Sequence, residues 1–391
     1  MVKGIAIIGA GMIGAAHASA YRQYAHRFNP APGVLHTVCD MNATAAQKLA
    51  TDWGFARVAS DWKTVIADPA IDVVSVCLPN FLHTEVTLAA LAAGKHVLCE
   101  KPLALSAAQA RPVYEAALQA MTVSGTVFNY RRIPALTEIK ARIEAGDLGR
   151  PVQIAVAFQC DYAADPLLPH SWRYEFAKAG PGALLDVGTH AVDMMRFLYG
   201  EVQGVVGAVS TISISERRLP LSATSGHGHA ALSDEVAAVD NDDVMSALLR
   251  FTNGAQGHVT ASRVAVGSGN RLMVEVMGTN GTARFTSEMP SFYEIALLTE
   301  GGSTGFQRVM NRPRSPSVGS LVAVPHDSVA VGYSEWFGFM IHEFLTCIAD
   351  GRPFENGSIA DGYHAAAVLD AILEASREAT DTRLPGLLLK P

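Results

Sequence analysis

Gly4-Ile5-Ala6-Ile7-Ile8-Gly9-Ala10-Gly11-Met12-Ile13-Gly14 decides the fold. A short apolar run, read as a strand over Gly4 to Ile8, enters Gly-x-Gly-x-x-Gly directly and continues into a helical pattern from Ile13 to His26. Gly9, Gly11 and Gly14 then allow a tight turn, close approach of a pyrophosphate and close packing of helix on strand, while the helix N-terminus favours phosphate charge. Such glycine strings are common in loops; a place between strand and helix, with Met12 and Ile13 on the first helical turn, makes this one a dinucleotide site.

Further strands are expected at Val34 to Cys39, Val73 to Leu78, His96 to Cys99 and Thr122 to Val127, alternating with helices at Ala43 to Trp53, His83 to Ala93 and Ala107 to Ala120. That alternation is the sequence form of an α/β, doubly wound parallel sheet, a Rossmann domain, which holds ligands at the carboxyl ends of its strands. The pattern changes after residue 128. A helix over Ala135 to Ala145 and a strand over Val152 to Gln159 are followed by a long helix, Leu184 to Tyr199. Beyond it, strands over Val244 to Phe251 and Ala255 to Ala265 flank Thr252-Asn253-Gly254, and Leu272 to Gly278 and Thr282 to Phe285 flank Thr279-Asn280-Gly281. Asn-Gly favours the turn of a hairpin. Residues 129–391 therefore read as an α+β domain with a large, mostly antiparallel sheet, and 1–128 as the cofactor domain. The polar stretches Ser213 to Ala238 and Glu300 to Ala330 read as long loops, and helices near Glu335 to Ala349 and Ile359 to Ala379 close the chain.

At 391 residues two domains are expected. A composition 49% hydrophobic and 17% charged excludes a disordered chain, and a net charge of -7 without a basic stripe gives neither nucleic acid nor an anionic membrane a reason to bind. No apolar stretch reaches the roughly 18 residues of a membrane span. Five cysteines are an odd number for a disulfide framework, and no leader precedes the first strand, so reduced thiols in the cytoplasm are expected.

Candidate functional residues gather at the strand ends. Asp40 closes the second strand, where a carboxylate accepts from both adenosine ribose hydroxyls and repels a 2′-phosphate, so NAD is preferred. It stands 31 residues after Gly9, a long interval that the Pro-containing insertion Arg27 to Gly33 accounts for; the alternative is a cap on the helix at Ala43. Leu78-Pro79-Asn80 turns the chain over the cofactor, with His83 behind it serving structure or cofactor. Glu100-Lys101-Pro102 ends the next strand, and a cis Lys101-Pro102 bond is a hypothesis. Asp186 and His190 lie four apart, on one face of the expected helix with Asp193. No Cys/His cluster supplies a metal site.

Together, Gly9 to Gly14, Leu78-Pro79-Asn80 with His83, the string Ala93-Gly94-Lys95-His96-Val97 leading into Glu100-Lys101-Pro102, and Gly182 through Asp186 to His190 and Asp193 resemble the glucose-fructose oxidoreductase/inositol dehydrogenase family, Gfo/Idh/MocA, over essentially the whole chain. The resemblance implies a Rossmann domain, an open-sheet domain forming a subunit interface, and a homodimer or homotetramer. It implies that Lys101 is the catalytic lysine and Asp186 and His190 the catalytic pair. Asp161, Asp165 and His170-Ser171-Trp172-Arg173 further resemble members acting on sugars and cyclic polyols.

The expected reaction is hydride transfer between NAD and a secondary alcohol of an inositol, pyranose or anhydrosugar. His190 takes the hydroxyl proton, Asp186 orients the imidazole and Lys101 stabilises the developing alkoxide. Asn129, Arg131, Asp161, Trp172 and Arg173, with Lys101, Asp186 and His190, are the expected sugar contacts; Arg131 has an equal structural alternative. Two rivals stay open: the same site run backwards as a reductase of a keto-sugar or aldose, and a sensor of NAD and sugar without turnover.

Overall fold

The computed structural model describes residues 4–25, 33–221, 228–311 and 331–379. Six strands, β1 (Gly4–Ile8), β2 (Val34–Cys39), β3 (Arg57–Ala59), β4 (Val73–Val76), β5 (His96–Cys99) and β6 (Ser124–Thr126), form one sheet in the order β3-β2-β1-β4-β5-β6. Every pairing is parallel. The order reverses between β1 and β4, the switch point at which a doubly wound sheet opens its ligand crevice. Helices α1 (Met12–Ala20), α2 (Ala43–Trp53), α3 (Trp62–Ala67), α4 (His83–Ala92) and α5 (Ala107–Gln119) connect the strands. The sequence reading missed β3 and α3, which are too short to show a period. Of the insertion before β2, residues 27–32 lie outside the described residues.

The second sheet has nine strands. In chain order these are β7 (Pro151–Gln159), β8 (Val202–Thr211), β11 (Val244–Phe251), β12 (Gln256–Ser262), β13 (Arg271–Gly278), β14 (Gly281–Thr286), β15 (Phe292–Thr299), β16 (Gly302–Ser303) and β17 (Gln307–Met310), with β9 (Glu216–Pro220) and β10 (Leu232–Ala238) forming a separate hairpin. Only β7 with β12 pairs in parallel; the other contacts are antiparallel. One face is covered by α6 (Pro134–Glu144) and the helix pair described below, with Ile154, Val156, Phe158, Val259 and Val274 in its core.

Three expectations are corrected. The stretch Ser213 to Ala238 holds the β9–β10 hairpin rather than a loop, although 222–227 lie outside the described residues. Its polar sequence hides this because a buried arginine, Arg217, rather than an apolar stripe, fastens it, donating to the carbonyls of Ala163 and Asp165 and stacking on Tyr174. Likewise Glu300 to Ala330 contains β16 and β17, with 312–330 outside the described residues. The helix expected over Leu184 to Tyr199 is two helices meeting at Val187. These are α8 (Gly182–Asp186), which follows the single turn α7 (Phe176–Ala179), and α9 (Gly188–Tyr199). Lys101 Nζ claims the Asp186 carbonyl at 2.9 Å, the acceptor that a continuous helix gives to the amide four residues on.

The chain finishes with α10 (Tyr333–Asp350) and α11 (Ile359–Glu378). Phe337, Met340, Ile341 and Phe344 of α10 share one core with Ile5, Ile7, Tyr21 and Leu98, so this helix completes the first sheet's cover from far along the chain. Helix α11 packs on both α5 and β8, and Asp370 accepts from the Ala107 amide at 2.8 Å. The two C-terminal helices thus cross the division expected after residue 128, because their apolar faces fit cores on both sides of it.

Candidate active site

The cofactor half of the site begins at the turn between β1 and α1. Gly9 has φ +110°, and a Cβ there would lie 2.2 Å from the Cys77 carbonyl; one on Gly14 would lie 2.0 Å from the Gly9 carbonyl. Gly11 instead faces open space, with nothing within 4 Å of the position a Cβ would take. Helix α1 has no side-chain cap and no acidic residue in its first turn, so its amide groups stay available to an anion. Asp40 Oδ2 accepts from the Ala10 amide at 2.7 Å and Oδ1 from the Asn42 amide at 2.8 Å. Asn42, not Asp40, caps α2. Each Asp40 oxygen keeps acceptor capacity for a hydroxyl.

Lys101 stands where β5 ends, and the Lys101-Pro102 bond is cis. Its ammonium donates to Asp186 Oδ1 and to the Asp186 carbonyl, both at 2.9 Å. The other carboxylate oxygen, Oδ2, accepts from the Tyr162 hydroxyl. His190 is 5% exposed, ringed by Phe128, Tyr130 and Phe158 at centroid distances of 6.5, 4.7 and 5.8 Å. Burial pushes its pKa well below the usual imidazole value, the Lys101 charge pushes it further, and Asp186 opposes both. Its Nδ1 is buried with no hydrogen-bond partner. Asp186 holds Lys101 and acts on His190 by charge. Lysine, carboxylate and neutral imidazole converge at the carboxyl end of the first sheet, a set suited to moving one proton and steadying one developing anion.

Residues 3–125 match the oxidoreductase family described as the NAD-binding Rossmann fold, and residues 136–284 match the GFO/IDH/MocA C-terminal domain. The chain belongs to the Gfo/Idh/MocA family. Levoglucosan dehydrogenase of Pseudarthrobacter phenanthrenivorans is 36% identical over 98% of each chain. Myo-inositol 2-dehydrogenase of Thermotoga maritima is 27% identical over 77% of this chain and 80% of that protein. The structure of levoglucosan dehydrogenase in complex with NADH superposes with a TM-score of 0.87 at 36% identity, covering 96% of this chain and 97% of that one.

Membership in Gfo/Idh/MocA makes the chain an NAD-dependent oxidoreductase, and the glycine turn with Asp40 fits that cofactor. Met12 is exposed at the head of α1 and Ile13 half-buried behind it. Leu78 and Pro79 turn the chain out of β4, and Asn80 Nδ2 donates across to the Ala179 carbonyl at 3.3 Å. Two residues expected at the cofactor have side chains engaged within the protein. The ring nitrogens of His83 lie 2.7 Å from the carbonyls of Leu78 and Pro102, so this histidine ties the cofactor turn to the lysine turn. Glu100 lies 2.9 Å from His17 Nε2 and accepts from the Lys101 amide at 3.2 Å, bracing the lysine's backbone from α1.

Among the expected sugar contacts, Arg131 is corrected: it is 6% exposed and donates twice to Asp193, at 2.6 and 2.9 Å, and to Asp361 at 3.2 Å. Asp193 therefore belongs to this buried pair and not to the catalytic group. His170 Nε2 lies 3.1 Å from the Ala238 carbonyl of β10, and Asp165 accepts from the Leu167 amide of its own loop. Asp161 accepts from Gly267 at 3.3 Å. Trp172 meets Phe81 edge-on at 6.3 Å, bridging the two units, with Arg173 stacked on it at 4.6 Å. Asn129 is buried, with its side-chain amide beside the Tyr333 hydroxyl. Sequence reasoning missed Tyr162; an isolated tyrosine in a loop carries no periodic signal, and its link to Asp186 is a contact between separate elements.

Proposed function

We propose that the protein oxidises a secondary alcohol of a pyranose, anhydrosugar or cyclic polyol with NAD⁺. The observation that carries the reading is the cluster of Lys101, Asp186 and buried His190 beside the dinucleotide turn. The 36% identity to a levoglucosan dehydrogenase over nearly the whole chain supports an anhydrosugar or pyranose over an open-chain alcohol. Bound NAD⁺ supplies the hydride acceptor.

His190, neutral through burial, removes the hydroxyl proton. Lys101 uses two N–H groups on Asp186 and points the third at the same oxygen, where it steadies the anion that forms. Asp186 keeps the ammonium in place. Asn129, Asp161 and the Trp172–Arg173 stack supply polar and flat surfaces for a sugar ring. Residues 1–128 act mainly as the cofactor unit, and the sheet of 129–391 as the substrate and assembly unit.

Assembly as a homodimer or homotetramer through the sheet face that no described helix covers is part of this reading, since Val206, Val209 and Leu248 lie 61%, 66% and 46% exposed among the described residues. Five free cysteines support a reducing, cytoplasmic setting. Among the described residues no helix is long and apolar enough to cross a membrane.

The test is NADH formation by purified protein with NAD⁺ or NADP⁺ against anhydrosugars, aldoses, glycosides and inositols. Turnover with NAD⁺ and a cyclic substrate is expected. Binding of NAD without turnover of any panel member counts against the reading, and light scattering in solution checks the assembly.

A further inference from the structure

The catalytic carboxylate has a partner that the hydride-transfer scheme does not use. Tyr162 lies just past the end of β7, and its hydroxyl donates to Asp186 Oδ2 while Lys101 holds Oδ1. We propose that Tyr162 is a positioning residue, fixing the rotation of the Asp186 carboxylate so that Lys101 keeps one N–H free for substrate. The proposal rests on the reading of the site given above.

A carboxylate with only a lysine for partner can offer either oxygen and turn about its Cβ–Cγ bond. A second donor on the opposite oxygen removes that freedom, and hydrogen bonds to an ionised acceptor are among the stronger ones. Tyr162 is suited to this because its own backbone is pinned on both sides. The Cys160 amide donates to Ser262 at 2.8 Å and the Ala163 amide to Arg263 at 3.0 Å, which ties the segment to the end of β12. The Ala163 carbonyl accepts from Arg217 at 2.5 Å; Arg217 is 1% exposed and anchored to the β9–β10 hairpin. The phenol thus arrives at Asp186 on a braced segment, which the ordering of a side chain for catalysis requires.

Charged and titratable groups around the phenol are Asp186 on α8, Lys101 beyond β5, Arg263 at the end of β12, and Cys160 on its own segment. Burial and the Asp186 charge push the phenol well above its usual pKa, against the pull of Arg263, so it remains a donor throughout the working pH range. Tyr162 therefore sets geometry without exchanging a proton in the reaction. It touches neither reacting carbon nor hydride, and acts through Asp186.

The experiment is a double-mutant cycle on the full chain: wild type, Tyr162→Phe, Asp186→Ala and the double variant. In the presence of Asp186, Tyr162→Phe is expected to lower kcat/KM for the best sugar about 10-fold through kcat, with NAD affinity unchanged. In the Asp186→Ala background the same change is expected to cost less than about 2-fold. An equal loss in both backgrounds, or no loss in either, overturns the proposal. The melting temperature of the cofactor-free protein, read for the same four forms, gives a measure independent of turnover. There Tyr162→Phe is expected to lower the midpoint only while Asp186 is present. Inactivity of the wild type toward every sugar defeats the proposed function, and the melting cycle still decides the role of Tyr162.

Discussion

Replacement of Lys101 by methionine keeps the length of the side chain and removes its charge and its three donors. Two of those donors sit at 2.9 Å on Asp186, and the third is the one assigned to the substrate oxygen. Loss of one donor to a developing oxyanion costs about 10²–10³ in kcat, or about 3–4 kcal/mol. The ion pair adds little to stability, since its side chains are 16% and 36% exposed; partly exposed pairs contribute about 0–1 kcal/mol. The melting curve is therefore expected to stay near that of the wild type while kcat collapses and NAD binding persists. The pH profile supplies a second, signed test. The Lys101 charge lowers the His190 pKa, so its removal lets that pKa rise. A base that must be neutral then needs a higher pH, and the acidic limb of kcat/KM moves upward. Steady-state NADH formation across pH measures both effects. A kcat within about threefold of wild type, against the expected 10²–10³ loss, or an acidic limb that stays put or moves down, refutes the assigned roles.

Three further outcomes are expected. Gly14→Ala places a methyl 2.0 Å from the Gly9 carbonyl, so the backbone of the turn has to shift; titration calorimetry should show NAD binding lost, and the melting midpoint should fall. Asp40→Ser removes the carboxylate at the end of β2, and the ratio of kcat/KM for NADP⁺ over NAD⁺ should rise at least about tenfold, the effect of losing roughly 1.4 kcal/mol of discrimination. Arg131→Leu strands Asp193 in the core; loss of one member of a buried pair costs about 3–5 kcal/mol, so a fall in chemical-denaturation midpoint is expected, whereas a raised sugar KM at unchanged stability would restore Arg131 to the pocket.

Much of the cofactor site was legible because its chemistry is local. Gly9 to Gly14 acts within six consecutive residues, and Glu100-Lys101-Pro102 marks the end of an unbroken apolar strand. The spacing of Asp186 and His190 put both on one continuous helix, whereas the helix is interrupted at Val187, where a lysine 85 residues away in sequence takes the Asp186 carbonyl. Arg131 could be read as a sugar contact or a structural residue until folding set it against Asp193. The β9–β10 hairpin escaped notice for a related reason. Arg217 does the anchoring that apolar alternation usually does, and a buried arginine looks like a surface one when only sequence neighbours are visible. Tyr162 needed the same nonlocal information.

The packing of Phe337, Met340, Ile341 and Phe344 against β1 has a consequence for biosynthesis. A ribosome that has made the segment up to residue 128 has made every strand of the dinucleotide sheet and helices α1–α5, but not α10, which completes the cover of one face. That nascent segment exposes Ile5, Ile7 and Leu98 until more than two hundred further residues have been added. Domains usually fold as units while synthesis proceeds; here the earliest-made half waits for the last-made one. Residues 1–128 expressed alone should be insoluble, and a graft of this cofactor unit onto another protein has to carry residues 333–350 with it.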